Sequence, residues 1–355
     1  MATHRTPDVL VVGGGIVGLA VAHRARERGL AVEVLDAGEA GAWSVAAGML
    51  APVTEAEFGE DALVRLGLES AERYPAFCAE LGVELRAAGT LVVARDRDEA
   101  EALDRLHAFR AQLGLAAERL VPSAARRREG ALAPSVRLAL DVPDDRSVDP
   151  RALVAALRER VPVRRARVRK IIDDGVVCDG GEELRAPRVV LAAGARTGEL
   201  AGARVRPVKG QVLRLRDPNG PGLVERTIRT EHAYLVPRAD GRYVLGATVE
   251  ERGWDPAPTA GGVFELLRDM SEVVPGVPEL ELEEVGVGFR PGTPDNVPMI
   301  GPGERPGLVW ATGHWRNGVL LAPVTADLVA DVLAGDGLPE WAAACDPRRF
   351  AGVPA

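Results

Sequence analysis

Cysteine, histidine and long apolar runs are scarce in this sequence of 355 residues. The three cysteines, Cys78, Cys178 and Cys345, form neither a C-x-x-C pair nor an even disulfide framework, so the chain reads as reduced and cytoplasmic. Five histidines, no two at zinc-ligand or one-turn spacing, argue against a protein-bound transition metal. No stretch of about 18 apolar residues occurs, which argues against a membrane span. The opening residues carry His4 and Arg5 and pass almost at once into a strand, without the separate apolar core of a signal peptide. Positive charge is not in excess either: the formal net charge of -8 argues against a nucleic-acid partner. The arginine clusters Arg126–Arg128 and Arg164–Lys170 read as solvated faces. No Ser-His-Asp set, paired-carboxylate site, internal repeat or low-complexity segment is visible.

What is present is an ordinary globular balance, 46% apolar and 27% charged, on a chain too long for one simple core. The first fifty residues predict strand, glycine turn, helix and strand: the apolar run Val9–Val12, a turn at Gly13–Gly15, a helix from Ile16 to near Gly29, then Val32–Asp36. A helix is expected over Leu63–Leu81, a strand over Gly89–Val93 and a charged helix from Glu99 to about Leu113. The acidic, proline-bearing stretch Ala131–Pro150 predicts a crossing between lobes, followed by a helix over Pro150–Arg160. Arg188–Gly194 repeats the form of buried strand then glycine. Between Gly210 and Phe289 the pattern alternates, as in Gln211–Arg216 and Tyr243–Thr248, which suits an antiparallel sheet with one covered face; a helix over Gly262–Val274 interrupts it. Gly307–Gly313 is another strand ending in glycine, and Val319–Leu333 a closing helix.

Gly13-Gly14-Gly15-Ile16-Val17-Gly18 fits G-x-G-x-x-G between an apolar strand and a helix, with Asp36 at the end of the next strand. Gly13 permits the tight turn, Gly15 lets backbone approach a pyrophosphate, and Gly18 lets helix and strand pack closely. The helix N-terminus favours phosphate charge, and Asp36 can accept hydrogen bonds from a ribose. NAD and FAD share this fingerprint. Just beyond, Trp43-Ser44-Val45-Ala46-Ala47-Gly48-Met49-Leu50 is rich in small residues that would let backbone amides approach a flat ring. On these residues the chain resembles the D-amino-acid-oxidase-like FAD oxidoreductases, most closely the glycine oxidases of thiamine biosynthesis, over nearly its whole length.

The resemblance implies an α/β fold in which a Rossmann-like FAD-binding domain (1–85, 146–208 and 287–350) is interleaved with an antiparallel-sheet α+β substrate domain (86–145 and 209–286). It implies FAD contacts at Ala37 beside Asp36, along Ser44, Ala46, Ala47, Gly48 and Met49, through the backbone of Val168, at Ala193 and Gly194, and over His314, Trp315, Arg316, Asn317, Gly318, Val319 and Leu320. In the last segment, backbone N–H groups and a helix dipole would stabilise negative charge on the reduced ring. The cysteine used for covalent attachment in related sarcosine oxidases has no counterpart near that segment, so non-covalent FAD is implied.

For substrate, the resemblance makes Arg290, in Gly288-Phe289-Arg290-Pro291-Gly292-Thr293, a bidentate carboxylate clamp, with Tyr234 adding a hydrogen bond and Arg316 close by. By period-two spacing His232 falls on the same strand side as Tyr234, either lining the pocket or filling the core. The implied reaction removes a hydride from the α carbon of glycine or another small amine, with oxygen as acceptor, peroxide as product and no assigned base. Alternatives are a sarcosine or D-amino-acid oxidase, a dehydrogenase feeding a quinone, and a flavin-binding structural module without turnover. Val249 stands where the glycine-oxidase pattern has methionine. A homo-oligomer is left open.

Overall fold

A computed structural model describes residues 6–350; His4 and Arg5 lie outside these, as do residues 351–355. Val9–Val12 has no polar side chain to offer solvent and is buried on both faces. It sits inside a six-stranded sheet with the order Met299–Pro302, Leu308–Thr312, Arg188–Leu191, Val9–Val12, Val32–Asp36, Val163–Arg165. All neighbours run parallel except the edge strand Met299–Pro302. Burying each Val or Leu of such strands contributes about 1.5–3 kcal/mol, so these runs fix the sheet centre. Helices Ile16–Glu27 and Ala322–Ala334 pack on each other along one face, sharing a core with Asp61–Leu81 and Pro150–Arg160. The last begins as its sequence dictates, with Pro150 in the first turn and the Asp149 carboxylate accepting from Arg151 N at 2.8 Å.

The alternating segments form an eight-stranded sheet, ordered Glu281–Gly292, Arg206–Arg216, Arg242–Gly246, Tyr234–Pro237, Thr227–Arg229, Thr90–Ala94, Leu138–Val142, Glu118–Leu120. It is antiparallel save where Thr227–Arg229 meets Thr90–Ala94. Its apolar face is covered by Ala260–Ser271 and a second core cluster. The fold is thus a parallel α/β layer joined to a large antiparallel sheet. No helix among the described residues is long and apolar enough to cross a membrane.

Three elements differ from their sequence reading. Ala131–Pro150 is not merely a crossing: Leu138–Val142 is an interior strand, all five residues buried, and Arg146–Val148 joins Met49–Leu50 and Leu85–Arg86 in a small sheet. The prolines fall outside these strands: Pro134 before the first, Pro143 between the two and Pro150 at the start of the following helix. The closing helix begins at Ala322, not Val319: residues 318–321 form turns, and Pro323, which fits only the first turn of a helix, sets its start. Val287–Gly292, placed with the nucleotide lobe by the family resemblance, pairs with Arg206–Gln211 in the antiparallel sheet.

Candidate active site

The carboxyl ends of the parallel strands open on one cavity of about 710 Å³, which runs from the glycine turn to the antiparallel sheet. Sites at this position are what parallel α/β sheets offer generally.

At the turn, Gly13 has φ of 113°, and a Cβ there would meet Ala192 O at 2.4 Å; a Cβ on Gly18 would meet Gly13 O at 2.0 Å. Both glycines are demanded by the protein itself. Gly15 is different. Its φ is ordinary and a Cβ would sit 3.4 Å from Trp43, an ordinary contact, so nothing in the chain requires glycine there. The position lines the cavity, as do Gly13, Ile16 and Val17, and the helix behind it begins with no side-chain cap and no acid in its first turn. Space left for a ligand, beside an uncapped helix start, fits a pyrophosphate. The Asp36 carboxylate accepts from Gly14 N at 2.7 Å and Gly38 N at 2.8 Å, which holds it at the rim beside Ala37. Val168 lines the same end.

Along the middle of the cavity the wall is backbone, and side chains behind it hold the carbonyls. Ser44 O accepts from Arg151 Nε at 2.7 Å and Arg214 Nη2 at 3.0 Å, and Ala47 O from Arg238 Nη2 at 2.5 Å. Burial pulls the Arg238 guanidinium down to about 10. On the far wall Tyr74 Oη donates to Val319 O, and Ser70 Oγ to Leu320 O at 2.6 Å. Carbonyls engaged from behind do not present their negative ends to the cavity, which suits a ring that gains negative charge on reduction. Ala193, Gly194, Trp315, Asn317 and Gly318 complete this wall, with His314, whose Nε2 lies 2.9 Å from Thr325 Oγ1. Burial pushes the His314 imidazole down to about 3, so it is neutral.

At the antiparallel end, Arg290 extends from strand Glu281–Gly292 across Gly210, where a Cβ would meet its Nη1 at 2.4 Å. Nη1 donates to Thr248 O at 3.0 Å and Lys209 O at 3.3 Å. Among the described residues Nε and Nη2 have no acceptor, and no carboxylate lies within ion-pair distance. Tyr234 lies over Gly246 in the same way, and burial raises its pKa, which keeps the phenol neutral. Arg316 has its own counter-ion: Glu55 contacts Arg316 at 3.3 Å and Arg229 at 2.5 Å. Burial pushes the Glu55 carboxyl up, but the fields of Arg229 and Arg316 outweigh it and hold the group below the usual carboxylate range. Two cations with one anion therefore stand beside a third cation with none.

The structure brings Arg290, Tyr234 and Arg316 into one wall and leaves three nominated residues, His232, Ser44 and Gly18, out of the cavity lining. His232 precedes the strand, which begins at Tyr234; its side chain is 58% exposed and borders an outer hollow of about 540 Å³. Period-two spacing does not apply outside a strand. Ser44 does not line the cavity: its Oγ donates to Gly41 O at 2.8 Å, and its carbonyl is held by Arg151 and Arg214 behind the wall. Gly18 packs behind the turn rather than facing the cavity. Val249 faces the outer hollow, which shares Tyr234, Arg290 and Arg316 with the main cavity. Sequence reasoning missed Glu55, Arg229 and the pair Trp254 and Phe289, whose rings stand 5.0 Å apart in the wall, with the Arg196 guanidinium 3.9 Å over Trp254. It missed too the buried Lys209, whose Nζ donates to Asp255 at 2.8 Å and Ala257 O at 2.6 Å and so ties down the segment carrying Trp254. None of the three cysteines, all free and buried, lines the cavity.

Comparison with known proteins agrees with this geometry. The family described as FAD dependent oxidoreductase (DAO) matches residues 8–332. The chain is 35% identical to the bifunctional protein ThiO/ThiG of Synechocystis sp. over 97% of its own length, and spans about half (54%) of that relative. It is 34% identical to the glycine oxidase of Geobacillus kaustophilus, with 93% of each chain covered. The crystal structure of glycine oxidase from Geobacillus kaustophilus superposes with a TM-score of 0.91 at 32% identity, covering 98% of this chain and all of that one. The chain belongs to the DAO family of FAD dependent oxidoreductases, and FAD is the cofactor for which its cavity is shaped.

Proposed function

We propose that this protein oxidises the amine-bearing α carbon of a small amino acid, with glycine the first substrate, to an imine that hydrolyses to the 2-oxo acid and ammonia or is passed to thiazole formation in thiamine biosynthesis. The observation that carries this reading is the Arg290 fork, fixed through Nη1 by two backbone carbonyls while Nε and Nη2 have no partner among the described residues. A partly buried guanidinium without a counter-ion is costly in a resting fold, and the matching ligand is a carboxylate held by two parallel hydrogen bonds.

We assign Gly13, Gly15, Ile16, Val17 and the helix start packed by Gly18 to the pyrophosphate of FAD, Asp36 and Ala37 to the ribose, and Val168 to the adenine end. Ala46, Ala47, Gly48, Met49, Ala193 and Gly194, with the 314–320 segment, line the ring. Bound FAD supplies a two-electron acceptor that oxygen can reoxidise, with peroxide as product. The residues bind and orient. Arg290 takes the acid group, Tyr234 donates a hydrogen bond from its neutral phenol, and Arg316, matched by Glu55, borders the remaining space. No cavity side chain is set up as a base: Glu55 is ion-paired, and His314 is neutral and engaged by Thr325. The substrate amine therefore enters as the neutral form, and positioning does the catalytic work. Free, buried cysteines support a cytoplasmic location.

The outer hollow beside Arg290 and Tyr234 leaves room beyond glycine, which favours a wider panel that includes sarcosine and small D-amino acids. Peroxide release on adding each compound to the purified yellow protein tests the proposal. Turnover with glycine is the expected result; silence across the whole panel would leave the flavin-binding module as the better reading.

A further inference from the structure

Thr54, the residue before Glu55, is gripped from two sides by buried ionisable groups that do not border the cavity. Arg110, 1% exposed on helix Arg97–Gln112, donates from Nη2 to Thr54 O at 2.6 Å. Asp145, also 1% exposed, accepts the Thr54 hydroxyl on Oδ2. The two do not pair with each other: neither has an opposite charge within ion-pair distance among the described residues, and Arg110 Nε and Nη1 and Asp145 Oδ1 have no protein partner. Buried charges kept only for stability are expected to face one another, since each otherwise bears its desolvation cost alone. Here both are directed at one threonine. The grip continues along the segment, where Phe58 stacks on Phe109 of the same helix with centroids 4.4 Å apart.

We propose that Arg110 and Asp145 are positioning residues that hold Glu55 between Arg229 and Arg316 as a charge gate, which admits ligands with one acid group and turns away those with two. The inference rests on Arg290 being the carboxylate anchor. A monocarboxylate meets one unmatched guanidinium at Arg290. A second carboxylate on the same small ligand finds the neighbouring cations already matched by Glu55, and meets that anion in a partly buried space where like charges are strongly unfavourable. A Glu55 that swings away would leave Arg229 and Arg316 open to the second acid group. The substrate class is then set as much by an anion as by the clamp.

The FAD-bound protein is titrated with acetate and with malonate, and binding is read from the flavin absorbance change, which needs no turnover. The wild type is expected to favour acetate. Glu55→Gln should shift the malonate-to-acetate affinity ratio upward by at least about tenfold, the scale of one like-charge contact. Thr54→Val, which removes the hydroxyl held by Asp145, and Arg110→Met should shift the ratio in the same direction by a smaller factor, and Thr54→Ser should restore the wild-type value. Should Arg110→Met not fold, the Thr54→Val and Thr54→Ser pair still decides the matter. A ratio unmoved in Glu55→Gln overturns the gate. A ratio moved by Glu55→Gln but not by Thr54→Val overturns the positioning role. Acetate binding that Arg290→Met leaves untouched overturns the anchor on which both rest, whereas binding lost in Arg290→Met with a ratio unmoved in Glu55→Gln overturns the gate alone.

Discussion

The two ends of the cavity are built from different materials. At the glycine turn the wall is backbone: glycines, a helix start and one aspartate, all within the first 36 residues. At the antiparallel end the wall is made of side chains from segments far apart, with Glu55, Tyr234, Arg290 and Arg316 converging across the sheets and Arg229 paired to Glu55 behind them. The first end needs shape and a helix dipole, and any ligand carrying a pyrophosphate satisfies it. The second depends, under the proposed reading, on the balance of charge among a few groups, so small changes there would alter which acid is bound. Specificity should be far more fragile at the second end than cofactor binding at the first.

That contrast can be broken most directly by Arg290→Met. Loss of a charged partner of this kind costs about 2–5 kcal/mol, so kcat/KM for glycine should fall by at least about 30-fold while the FAD content stays at wild-type level. Steady-state peroxide assays and the visible spectrum give the two readings. At the other end, Gly18→Ala and Gly15→Ala should separate fold from cofactor. A Cβ on Gly18 has no room, and overpacking should cost about 1–3 kcal/mol or more in thermal unfolding. A Cβ on Gly15 has room in the protein, so stability should hold while FAD affinity, measured by fluorescence titration, weakens by about tenfold.

A third test uses pH. Burial raises the Asp145 carboxyl to about 7, against the Thr54 hydrogen bond and the field of Arg110, with the nearby Glu55 anion adding to the rise. Between about 4 and 7 the folded protein keeps a proton that the unfolded chain releases, so stability falls as pH rises through that window. Asp145→Asn removes this slope. Its stability relative to wild type should therefore rise by about 1–3 kcal/mol between pH 5 and 8 in denaturant titrations. The smallest effect expected is that of Tyr234→Phe, which loses one hydrogen bond to the acid group and should raise the glycine KM by about threefold to tenfold.

The same contrast explains what could be read in advance. The glycine turn was legible because its requirements are local: Gly13, Gly15, Gly18 and Asp36 stand at fixed offsets around a strand and a helix. The sheets were legible because continuous and alternating apolar runs bury different numbers of faces. Arg290 and Tyr234 could be nominated only through family resemblance, since nothing in Phe289-Arg290-Pro291 distinguishes this arginine from the many others. Glu55, Arg110 and Asp145 gave no signal, because a charged residue's partners depend on tertiary contacts. Ser44 was nominated as part of a small-residue loop, and nothing in that loop's composition foretells that Arg151 and Arg214 hold its carbonyl, because carbonyl use leaves no mark on residue type. His232 was misplaced through a strand boundary two residues from where periodicity put it.

The central claim is that one cavity holds FAD against backbone at one end and an acid group on Arg290 at the other. Anaerobic addition of glycine to the FAD-bound protein, with Arg290→Met alongside, tests it most directly. The account predicts that the wild-type flavin bleaches while the fully loaded variant stays yellow at the same glycine concentration. Equal bleaching of both, or a protein that takes up no FAD, would contradict it.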